Sequence, residues 1–156
     1  MPQSASTENV TFRPALPPDV PRMVELMAAA HLPPLFVEEY LDGFIAAERA
    51  GEVFACGGFE VYGDCAVIRS VVVDETGRGL GLGGRLAEML MAKARDVGAS
   101  DLYLFTADAL PFWQHYGFVG IALEDWKSAP RACWQYQFIS QNRDLIPEVR
   151  TMWRKA

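Results

Sequence analysis

A β-branched run, Val67-Ile68-Arg69-Ser70-Val71-Val72-Val73, passes through Asp74-Glu75-Thr76 into Arg78-Gly79-Leu80-Gly81-Leu82-Gly83-Gly84. No other stretch constrains the chain as much. The run reads as a strand. Leu86, Met89, Leu90 and Ala94 then recur at helical spacing until Gly98 stops the pattern. A strand, a glycine-rich turn and a helix form a cradle for phosphate. Glycine lets the backbone approach a ligand, the first helical N–H groups have no partners within the helix, and the helix dipole adds positive charge there.

Three phosphate ligands compete for that cradle. A nucleotide P-loop needs Lys and Ser/Thr after its last glycine, and here Arg85 and Leu86 follow. The dinucleotide pattern G-x-G-x-x-G is present as Gly79, Gly81 and Gly84, with Asp101 placed for a ribose contact. In that fold, however, the glycines follow the strand at once and open a parallel unit, whereas Asp74, Glu75 and Thr76 intervene here and the preceding segment reads as antiparallel. The third ligand is an acyl-CoA pyrophosphate.

Arg78-Gly79-Leu80-Gly81-Leu82-Gly83 matches R/Q-x-x-G-x-G/A, and the chain thereby resembles the Gcn5-related N-acetyltransferases. A second block agrees: a strand Leu102-Tyr103-Leu104-Phe105, a short helix with Ala109, Phe112 and Trp113, then Tyr116-Gly117-Phe118. The resemblance implies an α/β fold with a mixed, largely antiparallel sheet split at its middle strands. It implies acetyl-CoA as co-substrate, held by Arg78, Gly79, Gly81, Gly83 and Gly84, by the backbone of Val71 and Val73, and by Thr106, Phe112 and Trp113.

Composition suits that reading. The 156 residues are 51% hydrophobic, enough for one core. A single domain over 1–156 is expected, with a core over 10–139 and a tail helix over 144–155. No apolar run reaches the roughly twenty residues of a membrane helix, and Met1 to Asn9 lacks the regions of a signal peptide. A cytoplasmic protein is expected. Cys56, Cys65 and Cys133 fall in predicted strands without metal-ligand spacing, so they read as reduced core thiols with no metal site. The net charge of −6 opposes nucleic acid and anionic membranes.

In chain order, a strand at Val10–Arg13 precedes a helix starting near Asp19, with Val24, Leu26, Met27 and Ala30 on its apolar side. His31, Pro33 and Pro34 end it. A second helix is expected over Phe36–Phe44, with Phe36, Tyr40 and Phe44 on one face. In the family this helix pair walls the acceptor pocket, so the resemblance assigns Phe36 and Tyr40 to substrate binding. A packing role in the core fits the same residues.

Val53–Val61 and Ala66–Val73 form a hairpin about Gly63-Asp64. Val61 then faces Ala66 and Glu60 faces Val67. Phe59, Val61, Ala66 and Ile68 line a core-directed face. Gly58, Glu60, Val67, Arg69, Val71 and Val73 line the other, with Glu60 and Arg69 diagonal neighbours.

Amide formation needs a neutral amine, and an alkylammonium has a pKa of about 10.4, so a base must take its proton. Family members that modify histones carry a catalytic Glu at the position of Val67, which has no basic group. Glu60, across the hairpin, is the candidate replacement; a structural ion pair, or Arg69 holding a substrate carboxylate, is the alternative. Many members also place a Tyr acid where this chain has Trp113. Tyr116 is the candidate stand-in, with packing as its other role. A weaker likeness to acetyltransferases encoded with arsenic-resistance genes adds Arg69 and Ser70 as substrate residues.

At the C-terminal end, Cys133–Ile139 alternates like a strand. Leu145, Val149, Met152 and Trp153 form a helical stripe to be buried on the sheet or in a homodimer. The expected function is acetyl transfer from acetyl-CoA to a primary amine of a small molecule by direct attack. The rivals are a non-catalytic acyl-CoA sensor and a dinucleotide-dependent oxidoreductase.

Overall fold

The computed structural model describes residues 9–156 of the chain. The N-terminal segment read for a signal peptide lies outside the described residues up to position 8. Seven strands form one mixed sheet in the order β1-β2-β3-β4-β5-β7-β6: β1 is Thr11–Pro14, β2 Ile45–Arg49, β3 Glu52–Tyr62, β4 Cys65–Val73, β5 Asp101–Thr106, β6 Val119–Gly120 and β7 Arg150–Lys155. β4 and β5 are parallel, while β1–β2, β2–β3, β5–β7 and β6–β7 are antiparallel. Four α-helices among the described residues accompany them: α1 Val20–Ala29, α2 Leu82–Asp96, α3 Leu110–His115 and α4 Trp134–Gln141. Among the described residues no helix is long and apolar enough to cross a membrane. The chain resolves into two compact units, one running to Phe59 and resuming over Ser70–Leu90, the other made of Glu60–Arg69 and Met91–Ala156.

In the first unit, α1 buries Val20, Met23, Leu26 and Met27, the spacing of one helix face. Val24 and Ala30, expected on that face, are half-buried. The face packs with Phe44, Ala46, Val53, Cys56 and Val72. Each such large side chain contributes about 1.5–3 kcal/mol by leaving water. Asp19 stands before α1 as expected, yet its carboxylate accepts from the Leu16 N–H at 2.7 Å and from Arg13 at 2.7 and 2.9 Å. It fastens β1 to the start of the helix instead of capping the helical N–H groups. Phe44 is fully buried over Gly58, where a Cβ would lie 2.6 Å from the ring.

The expected helix over Phe36–Phe44 is absent. The segment is a series of turns ending in a 3-10 turn over Leu41–Gly43. Phe36 has φ +60°, which no α-helix accommodates, and is 47% exposed, while Tyr40 is half-buried and Phe44 fully buried. The three aromatics therefore do not share a helical face.

In the second unit, β5 pairs with β7 along its whole length, from Asp101↔Lys155 to Thr106↔Arg150. This overturns the tail helix over 144–155. Leu145 is the most exposed of the large hydrophobic residues at 78%, whereas Met152 is fully buried within a strand. Cys133–Ile139 is likewise not a strand. Cys133 is the N-cap of α4, its Sγ accepting the Tyr136 N–H at 3.3 Å. Cys133, Tyr136 and Ile139 face a core of Cys65, Val67, Tyr103, Leu123 and Trp126. The Trp126 ring lies tilted against Tyr103, with ring centroids 4.3 Å apart, and stacks on Phe105 at 5.0 Å. Val61, expected on a core-directed face, is exposed near the end of β3. Cys56, Cys65 and Cys133 are buried and joined in no disulfide, and burial pushes the Cys65 thiol up to about 12.

Candidate active site

In the hairpin, β3 ends at Tyr62 and β4 begins at Cys65, so Gly63-Asp64 is the two-residue turn the sequence suggests, with Gly63 at φ +61°. Counting outward from this turn places Phe54 opposite Val73 and Gly57 opposite Ser70. The structure departs from that count by one residue. Asp74 N–H donates to the Phe54 carbonyl at 2.8 Å, and a Cβ on Gly57 would touch Val71. Ser70, at φ +60°, is the extra residue: a β-bulge in β4. The alternation expected from Val67 through Val73 therefore does not run unbroken. Val71 lies against Gly57 and Leu90, and Val72 joins the core with Phe44 and Cys56.

Past β4 the chain makes a 3-10 turn over Glu75–Gly77, fixed by the Thr76 hydroxyl donating to Asp74 at 2.7 Å. Arg78 is exposed, its Nε donating to the Val73 carbonyl at 3.4 Å. Gly79 and Gly81 adopt φ +84° and +73°, and a Cβ on either would meet nothing within 4 Å. Open space over two left-handed glycines is what a bound anion requires of a backbone cradle. α2 starts at Leu82, so Gly83 and Gly84 occupy its first turn, and the Arg85 N–H bonds the Gly81 carbonyl at 3.2 Å. The fifteen-residue helix directs its positive end toward the loop. These residues fit a pyrophosphate.

The second unit holds the expected charged pair. Arg69 Nη1 donates to Glu60 Oε2 at 2.8 Å, and the two side chains are 1% and 0% exposed. The other carboxylate oxygen, Oε1, accepts the Tyr62 hydroxyl. The Arg69 guanidinium lies over the Trp134 ring, 5.7 Å from its centroid. Cys133 is close by: burial pushes its thiol up to about 11, with the Glu60 charge acting in the same direction. Tyr62 and Trp134 are additions to the sequence-derived site. Tyr62 was legible, because i and i+2 on a strand share a face. Trp134 was not, because its segment reads as a strand.

The profile of the acetyltransferase (GNAT) family matches residues 11–118. The chain belongs to that family. Similar solved structures include Rv2747 from Mycobacterium tuberculosis, in complex with CoA and a second ligand, at 22% identity and TM-score 0.80, with 94% of this chain and 99% of that one covered. N-acetylglutamate synthase from Neisseria gonorrhoeae, complexed with coenzyme A and N-acetyl-glutamate, matches at 21% identity and TM-score 0.78 over 94% of this chain. This chain spans 35% of that enzyme's length. Ard1 from Thermoplasma volcanium matches at 21% identity and TM-score 0.71, covering 95% and 98% of the two chains.

For this GNAT chain the oxidoreductase reading ends, and Asp101 has a different task. It opens β5 and accepts from Trp153 Nε1 at 2.8 Å, from Ser100 Oγ at 3.1 Å and from Lys127. The remaining predicted residues cluster at α3. Thr106 Oγ1 accepts the Ala109 N–H at 3.0 Å and turns the chain into the helix. Trp113 is buried edge-on to Phe112 at 4.9 Å and Phe118 at 5.4 Å. Tyr116 is half-buried against Phe112, and its carbonyl accepts Arg154 Nη1 at 2.7 Å.

Proposed function

We propose that this GNAT acetyltransferase transfers an acetyl group from acetyl-CoA to a primary amine of a small molecule by direct attack. The observation that carries the reading is the cradle of Gly79 and Gly81, open above two positive-φ residues at the head of α2. Arg78, Gly79, Gly81, Gly83 and Gly84 hold the pyrophosphate through backbone N–H groups and the guanidinium. Beyond the Ser70 bulge, the backbone of Val71 and Val73 serves the pantetheine arm and the acetyl carbonyl. Thr106, Phe112 and Trp113 shape the α3 side of the co-substrate site. The thioester supplies an activated acyl group whose thiolate, with a pKa comparable to the ~8.5 of Cys, departs without a strong acid. Tyr116 therefore has its main role in packing, with its hydroxyl available as an acid.

Glu60 is the terminal proton acceptor, and the 2.8 Å ion pair with Arg69 holds it in position. Ser70 on β4, with Phe36 and Tyr40 from the turns before β2, selects the acceptor, while Arg69, its side chain 1% exposed, serves through Glu60. The N-acetyl-glutamate bound by the Neisseria enzyme makes amino acids the first acceptors to try.

Calorimetry with acetyl-CoA, followed by thiol-release assays over amino acids, polyamines and amino sugars, tests the reading. Stoichiometric binding and release of CoA dependent on one amine class are expected. Binding of acetyl-CoA with no turnover on any amine would make the protein a sensor instead.

A further inference from the structure

Glu60 has both carboxylate oxygens engaged and no solvent contact: Arg69 Nη1 occupies Oε2, the Tyr62 hydroxyl occupies Oε1, and the Glu60 side chain is 0% exposed. An amine cannot give its proton to such a carboxylate directly. Tyr62 is different. It is half-buried where Glu60 is sealed, and a phenol that donates its own proton can accept another on its lone pairs.

We propose that Tyr62 is the catalytic residue that touches the acceptor amine and relays its proton to Glu60. This rests on the acetyl-transfer reading above. The acceptor arrives as R–NH3+. One proton moves from nitrogen to the Tyr62 oxygen while the Tyr62 proton moves to Glu60 Oε1, leaving R–NH2 and a neutral Glu60 acid. The nitrogen–carbon bond then forms and the thioester carbon–sulfur bond breaks. The second nitrogen proton goes to the departing thiolate, and Glu60 returns its proton through Tyr62 to water. One proton stays on the amide, one is on the CoA sulfur and one is released.

The surroundings suit a relay. Arg69, from β4, donates to Glu60 at 2.8 Å and fixes the carboxylate in place. Cys133, from the segment before α4, stays a neutral thiol because burial pushes it up to about 11. Tyr62 packs against a core that includes Cys65, pushed up to about 12, and Tyr103, also raised by burial. The other charged groups at this core are Asp64, which accepts the Cys65 thiol at 3.4 Å, and Asp101, which is paired with Lys127.

The test compares wild type with Tyr62→Phe, using acetyl-CoA and L-glutamate first, then the best primary amine of the panel, from pH 7 to 10. The variant should bind acetyl-CoA unchanged and lose about a hundredfold in kcat at pH 7. The deficit should shrink to a few-fold near pH 10, where the amine loses its proton to water unaided. A structural role would depress activity equally at every pH. Such a uniform loss, or turnover within threefold of wild type at pH 7, overturns the relay. If Tyr62→Phe does not fold, Glu60→Gln takes its place and the same narrowing with pH is required. A wild type that binds acetyl-CoA yet acetylates no amine overturns the acetyl-transfer reading, and the relay with it.

Discussion

Glu60 Oε2 and Arg69 Nη1 meet at 2.8 Å with both side chains closed to solvent, nine residues apart in one hairpin. Such a pair is costly to bury and more costly to break, because removing one partner leaves an uncompensated charge in a low dielectric. Arg69→Met should therefore destabilise the protein by about 3–5 kcal/mol. Glu60→Gln combined with Arg69→Met should recover part of that loss, since the two residues are coupled. Urea unfolding midpoints measure both. An Arg69→Met variant within 1 kcal/mol of wild type, on the order of a weak surface pair, would show that the charge is relieved elsewhere.

Gly81 separates folding from ligand binding. At φ +73° a side chain is strained, by roughly 1–2 kcal/mol, yet a Cβ there meets no neighbour within 4 Å. Gly81→Val should fold with a slightly lowered Tm and lose the thermal shift given by acetyl-CoA. The branched side chain would stand where the pyrophosphate belongs. A retained shift would place the co-substrate elsewhere.

Acid stability should depend on Asp101. Burial raises its pKa, but the hydrogen bonds from Lys127, Trp153 and Ser100 outweigh burial and hold it below the ordinary carboxylate value. A depressed folded-state pKa stabilises the protein above the unfolded value of about 3.9, and that contribution is lost as pH falls through the folded value. Wild type should lose stability below about pH 4 more steeply than Asp101→Asn. Parallel acid limbs in the two proteins would remove Asp101 from the account.

What the sequence revealed and what it hid divide along contact range. The strand, glycine loop and α2 were legible because each carries a local signal: β-branching, positive-φ glycines, a helical stripe and Gly98 at φ +99°. The hairpin was legible from its turn, and the Glu60–Arg69 pair from strand alternation. The Ser70 bulge left no local trace, since a serine at positive φ looks like any strand serine. The C-terminal elements misled for a related reason. Cys133-Trp134-Gln135-Tyr136-Gln137-Phe138-Ile139 alternates like a strand, yet Cys133, Tyr136 and Ile139 are the core-facing set, and Phe138 is 52% exposed. Leu145, Val149, Met152 and Trp153 are spaced like a helix, but six residues of pairing with β5 decide the matter.

That pairing makes a further prediction. Truncation after Arg143 removes β7, which pairs with both β5 and β6 and buries Met152. The truncated protein should be insoluble or lack a cooperative melt. A soluble protein with a sharp transition would mean that the strand is dispensable.

The residues of α3 test whether departure of the thiolate needs an acid. Tyr116 is half-buried with its ring 5.1 Å from Phe112, and Tyr116→Phe keeps that packing while removing the hydroxyl. Turnover should remain within a few-fold of wild type, because a leaving group with a pKa near 8.5 gains little from protonation at neutral pH. Trp113 is 6% exposed and wedged edge-on against Phe112 and Phe118, so Trp113→Ala should cost about 3–5 kcal/mol through lost aromatic volume. Its damage should appear in Tm and in acetyl-CoA affinity. A hundredfold fall in kcat for Tyr116→Phe, with acetyl-CoA binding intact, would instead make the Tyr116 hydroxyl the acid that protonates the departing sulfur.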